Sequence, residues 1–345
     1  MKRNLIFLMT ALVLVSFGCS KQAPEQPKVS DTKPTAVAPT PEAQAPAPPV
    51  PSEAKDRYTI GVVPKGLAHQ FWLTVKAGAE AAGKEFNADI VWQGPAQETE
   101  IDKQISIIED MITSKVDAIV MAACDENALV PVLKKALDCG IPVVTIDSGV
   151  KSDLPIPFVA TDNVAGAKAA AKELARLLNN EGEVGIIPFV AGAATSEMRE
   201  QGFKDGLADT GLKLVSTLYS QSDAAIAMNV AQDMMTANPN LKGIFAANEP
   251  GVTGAAQAIR SAGKTDQIKL VGFDASDEEV EGLKNGTVSA LIVQNPFRMG
   301  YDGVRIAIDK IQKKETSERV DTGVTVVTAE NLNDPEVQKL LNPLK

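Results

Sequence analysis

This sequence predicts an α/β protein built from two doubly wound parallel sheets, and three observations predict it. From about residue 57 onward, apolar strand-like runs alternate with amphipathic helical patterns. The runs are continuous and rich in β-branched residues, as strands covered on both faces require. The pattern restarts near residue 157, and 345 residues are enough to bury two cores.

Taken in order, the first half reads as strands TIGVV (59–63), ADIVWQ (88–93), VDAIVMAA (116–123) and PVVTID (142–147). Helical patterns lie between them at 71–86, 98–113 and 127–137. Gly140 and Pro142 mark the exit from the third helix. PFVATDN (157–163) opens the second half and leads into an Ala-rich helix over 164–179. Strands EVGIIPFV, LKLVSTLYS, LKGIFAAN, IKLVGFD and TVSALIVQNP follow, alternating with helices near 196–208, 224–236, 254–262 and 277–284. A helix over 296–313 and a final strand, TGVTVVT at 322–328, complete the chain.

The amino terminus belongs to a different class of sequence. Lys2 and Arg3 precede an apolar run from Leu5 to Phe17, too short to span a membrane and laid out as a secretory signal. Gly18 before Cys19 resembles the lipobox of bacterial lipoproteins, which makes residues 1–18 a signal peptide and Cys19 the lipidated first residue of the mature chain. Residues 20–56 hold nine of the 21 prolines and almost no large apolar side chains. Such a stretch cannot bury a core, so 19–57 reads as a semi-stiff tether between a membrane anchor and a folded body.

Removing the signal leaves 32 Lys and Arg against 44 Asp and Glu, a net charge of −12. An acidic body without a basic cluster argues against a nucleic-acid partner. Cys124 ends a strand and Cys139 ends the next helix. That helix, about eleven residues or roughly 16 Å long, separates them too widely for a disulfide. Both are expected to be unpaired and mostly buried. With no CxxC and a single histidine, neither a metal nor a cofactor is predicted.

Polar residues collect where apolar strands end. Lys65 and His69 follow the first strand, Asp147 and Ser148 the fourth, and Asn248 and Glu249 the IFAA run. Asp274 follows VGF, and Gln294 with Asn295 follows ALIV. In open α/β sheets ligands bind at this carboxyl edge. Carboxylates and amides there suit a polyhydroxylated ligand, and Phe71 and Trp72 offer flat apolar faces for a sugar ring.

These residues carry a resemblance. The stretch from 58 to about 330 resembles the periplasmic sugar-binding proteins of ABC transporters, in the ribose-binding group (periplasmic binding protein type I). The resemblance rests on HQFW, IPVVTID, FVATDN, the RxxGF of Arg199 to Phe203, FAAN, LVGFD and VQNP. It implies ligand contacts from Lys65, His69, Phe71, Trp72 and Asp147 on one side. From the other it implies Arg199, Ser222, Asn248, Asp274 and Gln294. Ser148 stands where those proteins have arginine, Lys65 where they have serine, and His69 where they have asparagine. Ser222 occupies a position that is often aromatic.

The resemblance also implies a three-crossing hinge near Thr161-Asp162, Gln294-Asn295 and Asp321-Thr322. The lobes are then 58–161 plus 295–321, and 162–294 plus 322–340. The function it implies is capture of a monosaccharide or polyol and delivery to an ABC import permease, by a monomer anchored on the periplasmic side of a bacterial membrane. An enzyme would need a nucleophile elbow or phosphate-binding loop, and neither motif is in the sequence. A transcriptional regulator would need a helix-turn-helix ahead of the first strand, where the signal and tether lie. A sugar-sensing receptor or a nucleoside-binding lipoprotein of the same fold is the alternative.

Overall fold

The computed structural model describes residues 57–343. The signal peptide, Cys19 and all of the tether except Arg57 lie outside the described residues. Two six-stranded sheets form the framework. The first contains β1 (Tyr58–Val63), β2 (Ala88–Trp92), β3 (Ala118–Met121), β4 (Val143–Ile146), β5 (Phe158–Ala160) and β11 (Arg319–Asp321). Its spatial order is β11-β5-β4-β3-β1-β2, with every pair parallel. The second contains β6 (Gly182–Ile187), β7 (Leu212–Thr217), β8 (Leu241–Ala246), β9 (Lys269–Phe273), β10 (Ala290–Val293) and β12 (Thr325–Val327). Its order is β12-β10-β9-β8-β6-β7, and only β12 runs antiparallel to its neighbour.

Successive side chains on a strand point to opposite faces, and here both faces are covered. Ile60, Val62, Val120 and Ile146 enter one core, while Val63, Ile119, Met121 and Val143 enter the other. That double burial is why the strands read as unbroken apolar runs. Helices α1 (Gln70–Glu85), α2 (Ile101–Thr113) and α3 (Val130–Asp138) belong to the first sheet. Helices α4 (Asn163–Leu177), α5 (Ala194–Leu207), α6 (Ala224–Ala237), α7 (Glu249–Ser261) and α8 (Asp277–Asn285) belong to the second.

The chain passes between the sheets three times. After β5 it enters α4, which packs on β9 and β10. After β10 it enters α9 (Pro296–Ile311), which packs on α1, β3 and β4 of the first sheet. The step from β11 to β12 is the third. Two of these connectors lie side by side, with Thr161 Oγ1 3.3 Å from Thr322 Oγ1.

Several sequence expectations differ from the structure. β11 and the terminal helix α10 (Pro335–Leu341) were not anticipated, because a three-residue edge strand and a seven-residue helix carry too little apolar pattern. Helix α7 begins at Glu249 rather than 254, since Asn248 caps it by accepting the Gly251 N–H at 3.1 Å. Cys124 and Cys139 are both unpaired, but Cys139 is exposed. It is the C-cap of α3, where the helix turns out toward Gly140.

The α1–α9 contact is close. A Cβ on Gly300 would stand 2.0 Å from the Val75 carbonyl oxygen, and one on Gly78 would stand 1.9 Å from that of Phe297. Each glycine admits the other helix's backbone. Gly300→Ala is therefore expected to force the helices apart and cost about 1–3 kcal/mol, read as a lower urea midpoint. An unchanged midpoint would show that the helices have slack at this crossing.

Candidate functional site

Both sheets reverse their winding beside their first strand, so the loops at the carboxyl ends of β1 and β6 open into a crevice. The two carboxyl edges meet. Lys65, after β1, donates to Thr195 Oγ1 on α5 at 3.1 Å, and Ser148 Oγ lies 3.0 Å from the same hydroxyl.

On the first wall Lys65 is 2% exposed, with its ammonium 3.0 Å from Asp147 Oδ2 and 4.0 Å from Glu98 Oε2. It also donates to Ser148 Oγ at 3.2 Å. Burial pulls its pKa down, but Asp147 and Glu98 outweigh that effect and leave it above the ordinary lysine value. Asp147 holds the left-handed backbone region at φ 53°, which turns its carboxylate off the end of β4 into the crevice. Its Oδ2 is close to Lys65 but poorly aligned and accepts no hydrogen bond among the described residues. Trp72 is buried edge-on to Phe71, with ring centroids 4.9 Å apart, and donates Nε1–H to Glu98 Oε1 at 3.0 Å. His69 places Nδ1 3.6 Å from the same Glu98 oxygen.

On the second wall Arg199 is 2% exposed. It lies over the Phe273 ring at 3.8 Å and donates to Asn163 Oδ1 and the Ala247 carbonyl, both at 2.8 Å. Burial lowers its pKa, opposed by Asp274 and Asp147. Asp274, at φ 91°, accepts from Gln294 Nε2 at 2.6 Å and from the Glu249 N–H at 3.0 Å. Asn248 Nδ2 donates to Ser222 Oγ at 2.8 Å. The Phe189 ring lies 5.2 Å from Lys65 Nζ and 5.5 Å from the Arg199 guanidinium.

Nine of the sequence-predicted residues line one pocket in the cleft: Lys65, His69, Phe71, Trp72, Asp147, Arg199, Asn248, Asp274 and Gln294. Ser148 and Ser222 sit behind it, where they hold Lys65 and Asn248. Glu98, Phe189, Glu249 and Pro250 line it as well. Glu249 was visible as a polar residue after β8. The sequence pattern starts a helix at Glu98, but α2 starts at Ile101, which leaves Glu98 on the loop leaving β2. The apolar run EVGIIPFV carries the expected strand through Phe189, yet β6 ends at Ile187. Phe189 restores an aromatic face to the wall that Ser222 leaves without one. Among the described residues, no group of three or more His, Cys, Asp and Glu side chains is placed to hold a metal ion.

Burial raises the Glu98 pKa, but Lys65, His69 and Trp72 overcome that and bring it down to about 2. A lowered folded-state pKa means the stabilisation is complete above about pH 4.5 and lost as pH falls toward 2. Tryptophan emission, reporting the Trp72–Glu98 bond, should hold steady from pH 7 to about 3 and change only below that. A transition centred near pH 4.5 would show that Glu98 is not held as the anion.

The walls are also joined at the mouth. Helix α1 has no side-chain cap of its own. Glu249 supplies one from the opposite lobe, its Oε1 accepting from the Gln70 N–H and its Oε2 from the Phe71 N–H, each at 2.9 Å. Asp277 N–H donates to Gln70 Oε1 at 3.0 Å beside them. Glu249→Ala removes a carboxylate from a helix amino terminus, a loss of about 1 kcal/mol to the closed arrangement. Small-angle scattering should then give a larger radius of gyration than wild type under conditions that close the wild-type cleft. Equal radii would show that this cap does not hold the lobes together.

Comparison with known proteins places this geometry in a family. Residues 60–315 match the family described as periplasmic binding protein domain. A D-ribose/D-allose-binding protein of Pseudomonas aeruginosa is 37% identical over 81% of this chain and 91% of its own length. A D-allose-binding periplasmic protein of Escherichia coli is 32% identical over 72% of this chain and 83% of its own. An ABC transporter solute-binding protein from Agrobacterium vitis, with bound D-fucose, superposes with a TM-score of 0.80 at 40% identity, covering 82% of this chain and 99% of that one. A carbohydrate-transporter solute-binding protein from Agrobacterium radiobacter, in complex with D-arabinose, gives 0.81 at 35% identity, over 84% and 100% of the two chains. With two parallel-sheet lobes enclosing a polar cleft, and with matches running through both of them, this chain belongs to the periplasmic binding protein domain family.

Proposed function

We propose that this protein is the extracytoplasmic binding component of an ABC importer for a neutral monosaccharide or closely related polyol. The observation that carries the reading is the lining of the cleft: Asp147 and Glu98 from one lobe, Asp274, Asn248 and Gln294 from the other, around two buried cations. Such groups exchange paired hydrogen bonds with vicinal hydroxyls. Phe71 and Phe189 supply apolar faces for ring carbons. Lys65 is already matched by Asp147 and Glu98, while Asp274 and Glu249 add further acid, so the cleft holds no surplus positive charge for a sugar acid. The relatives are binding proteins for D-ribose and D-allose, and the solved neighbours hold D-fucose and D-arabinose. They support transport over catalysis.

The remaining organisation is part of the same proposal. The lobes are 58–161 with 295–321 and 162–294 with 322–340, and they close by bending at the three connectors. The three passages of the chain between the sheets support that division. The mature protein is a monomer held at the periplasmic face of a bacterial membrane through lipidated Cys19 and the 19–57 tether, and it presents its closed face to the permease.

A thermal-shift series tests the function. D-Ribose, D-allose, D-fucose, D-arabinose, a polyol, a hexuronic acid and a nucleoside are compared at equal concentration. One or more neutral sugars should raise the melting temperature, because ligand binds the folded state alone, and the hexuronic acid should not. Asp274→Ala should lower affinity for the stabilising sugar at least about 100-fold, as it also leaves the Gln294 amide unpaired. A shift from the nucleoside with none from any sugar or polyol would overturn the reading.

A further inference from the structure

Glu98 lies on the loop leaving β2 and reaches the cleft with only 5% of its surface exposed. Its two oxygens are treated differently. Oε1 is engaged on the protein side, accepting from Trp72 Nε1 at 3.0 Å with His69 Nδ1 at 3.6 Å. Oε2 is buried, lies 4.0 Å from Lys65 Nζ, and accepts no hydrogen bond among the described residues. That distance exceeds hydrogen-bond length, so the ammonium stabilises the charge without using the lone pairs. Lys65 itself donates to Ser148 and Thr195 and faces Asp147. Two of its three donors are therefore committed to hydroxyls within the protein, and its charge is paired with Asp147.

We infer that Glu98 Oε2 is a ligand-binding acceptor that takes a hydroxyl hydrogen bond from the bound sugar. Asp147 Oδ2, 3.0 Å from the same ammonium but without an aligned donor among the described residues, is its companion. Lys65 sets its positive charge beside both carboxylates, 4.0 Å from Glu98 and 3.0 Å from Asp147, and so offsets their mutual repulsion and maintains a pair of acceptors suited to neighbouring hydroxyls. The ligand is then a neutral sugar carrying a hydroxyl at the ring position facing Glu98, and its deoxy analogue at that position is rejected. A deoxy ligand would bury the carboxylate against a C–H group and leave it unpaired. This inference rests on the monosaccharide reading above.

The test is calorimetric. Among D-ribose, D-allose, D-fucose and D-arabinose, the sugar that binds wild type most tightly is measured with each of its monodeoxy derivatives against wild type and Glu98→Gln. One derivative should lose about 10- to 100-fold on wild type. The same derivative should lose less than about threefold relative to the parent sugar on Glu98→Gln, the signature of a direct pair in a double-mutant cycle. Glutamine keeps an acceptor for Trp72, and an unchanged melting temperature without ligand confirms that the variant is folded. If it does not fold, Glu98→Asp, which keeps the charge and withdraws it by one methylene, takes its place. Glu98→Gln binding every sugar within threefold of wild type would overturn the inference. So would an equal loss for the parent and all derivatives, which would mean that Glu98 only positions its neighbours. In both cases wild-type binding leaves the monosaccharide reading standing. Failure of wild type to bind any of the sugars would instead remove that reading, and this inference with it.

Discussion

The ammonium of Lys65 sits 3.0 Å from Asp147 and 4.0 Å from Glu98 with almost no exposure to water. An unmatched charge at that depth would cost several kcal/mol, so each partner is needed by the other. The three residues come from the loops after β1, β2 and β4, and the hydroxyl of Thr195 joins them from α5 of the second lobe. One buried charge therefore fixes the relative placement of four chain segments. It also holds Glu98 as the anion in a place that would otherwise neutralise it.

The second wall solves the same problem differently. The Arg199 guanidinium lies over Phe273 at 3.8 Å and spends donors on an asparagine and a backbone carbonyl. A planar, weakly hydrated cation can approach a ring more closely than the Lys65 ammonium, which stays 5.2 Å from Phe189 and 5.7 Å from Trp72. Asp274 stands within its electrostatic reach but is hydrogen-bonded to Gln294 and the Glu249 backbone. The cations on the two walls are thus not interchangeable, although both are buried.

Helix α1 joins the lining of the cleft to the opposite lobe. Its first turn presents Phe71 and Trp72 to the cleft, and its free N–H groups are capped by Glu249 from across the mouth. A helix amino terminus attracts a carboxylate over the length of its first turn only. The cap therefore depends on the lobes being in contact, and it ties the helix that presents the aromatic rings to the opposite lobe.

The alternation of strand and helix was legible because it is local: a run such as VDAIVMAA declares double burial through its own composition. The first polar residue after each strand was legible for a related reason. A strand's direction fixes where its end points, so Lys65, Asp147, Asn248, Asp274 and Gln294 could be placed at the cleft before the lobes were known. Glu98 follows β2 by six residues, and the path of that loop, not its sequence, brings its carboxylate beside Lys65. Phe189 lies just past β6 and was indistinguishable from a strand residue. Ser148 and Ser222 are at the right edge, but their short side chains stop behind the lining. The sequence by itself determined the fold class and the strand-end groups, because periodicity and adjacency are encoded over a few residues. Only the tertiary structure decided the Glu98 site, the Phe189 face and the Glu249 cap, because each depends on atoms more than twenty residues apart in the chain meeting within hydrogen-bond or ring-contact distance.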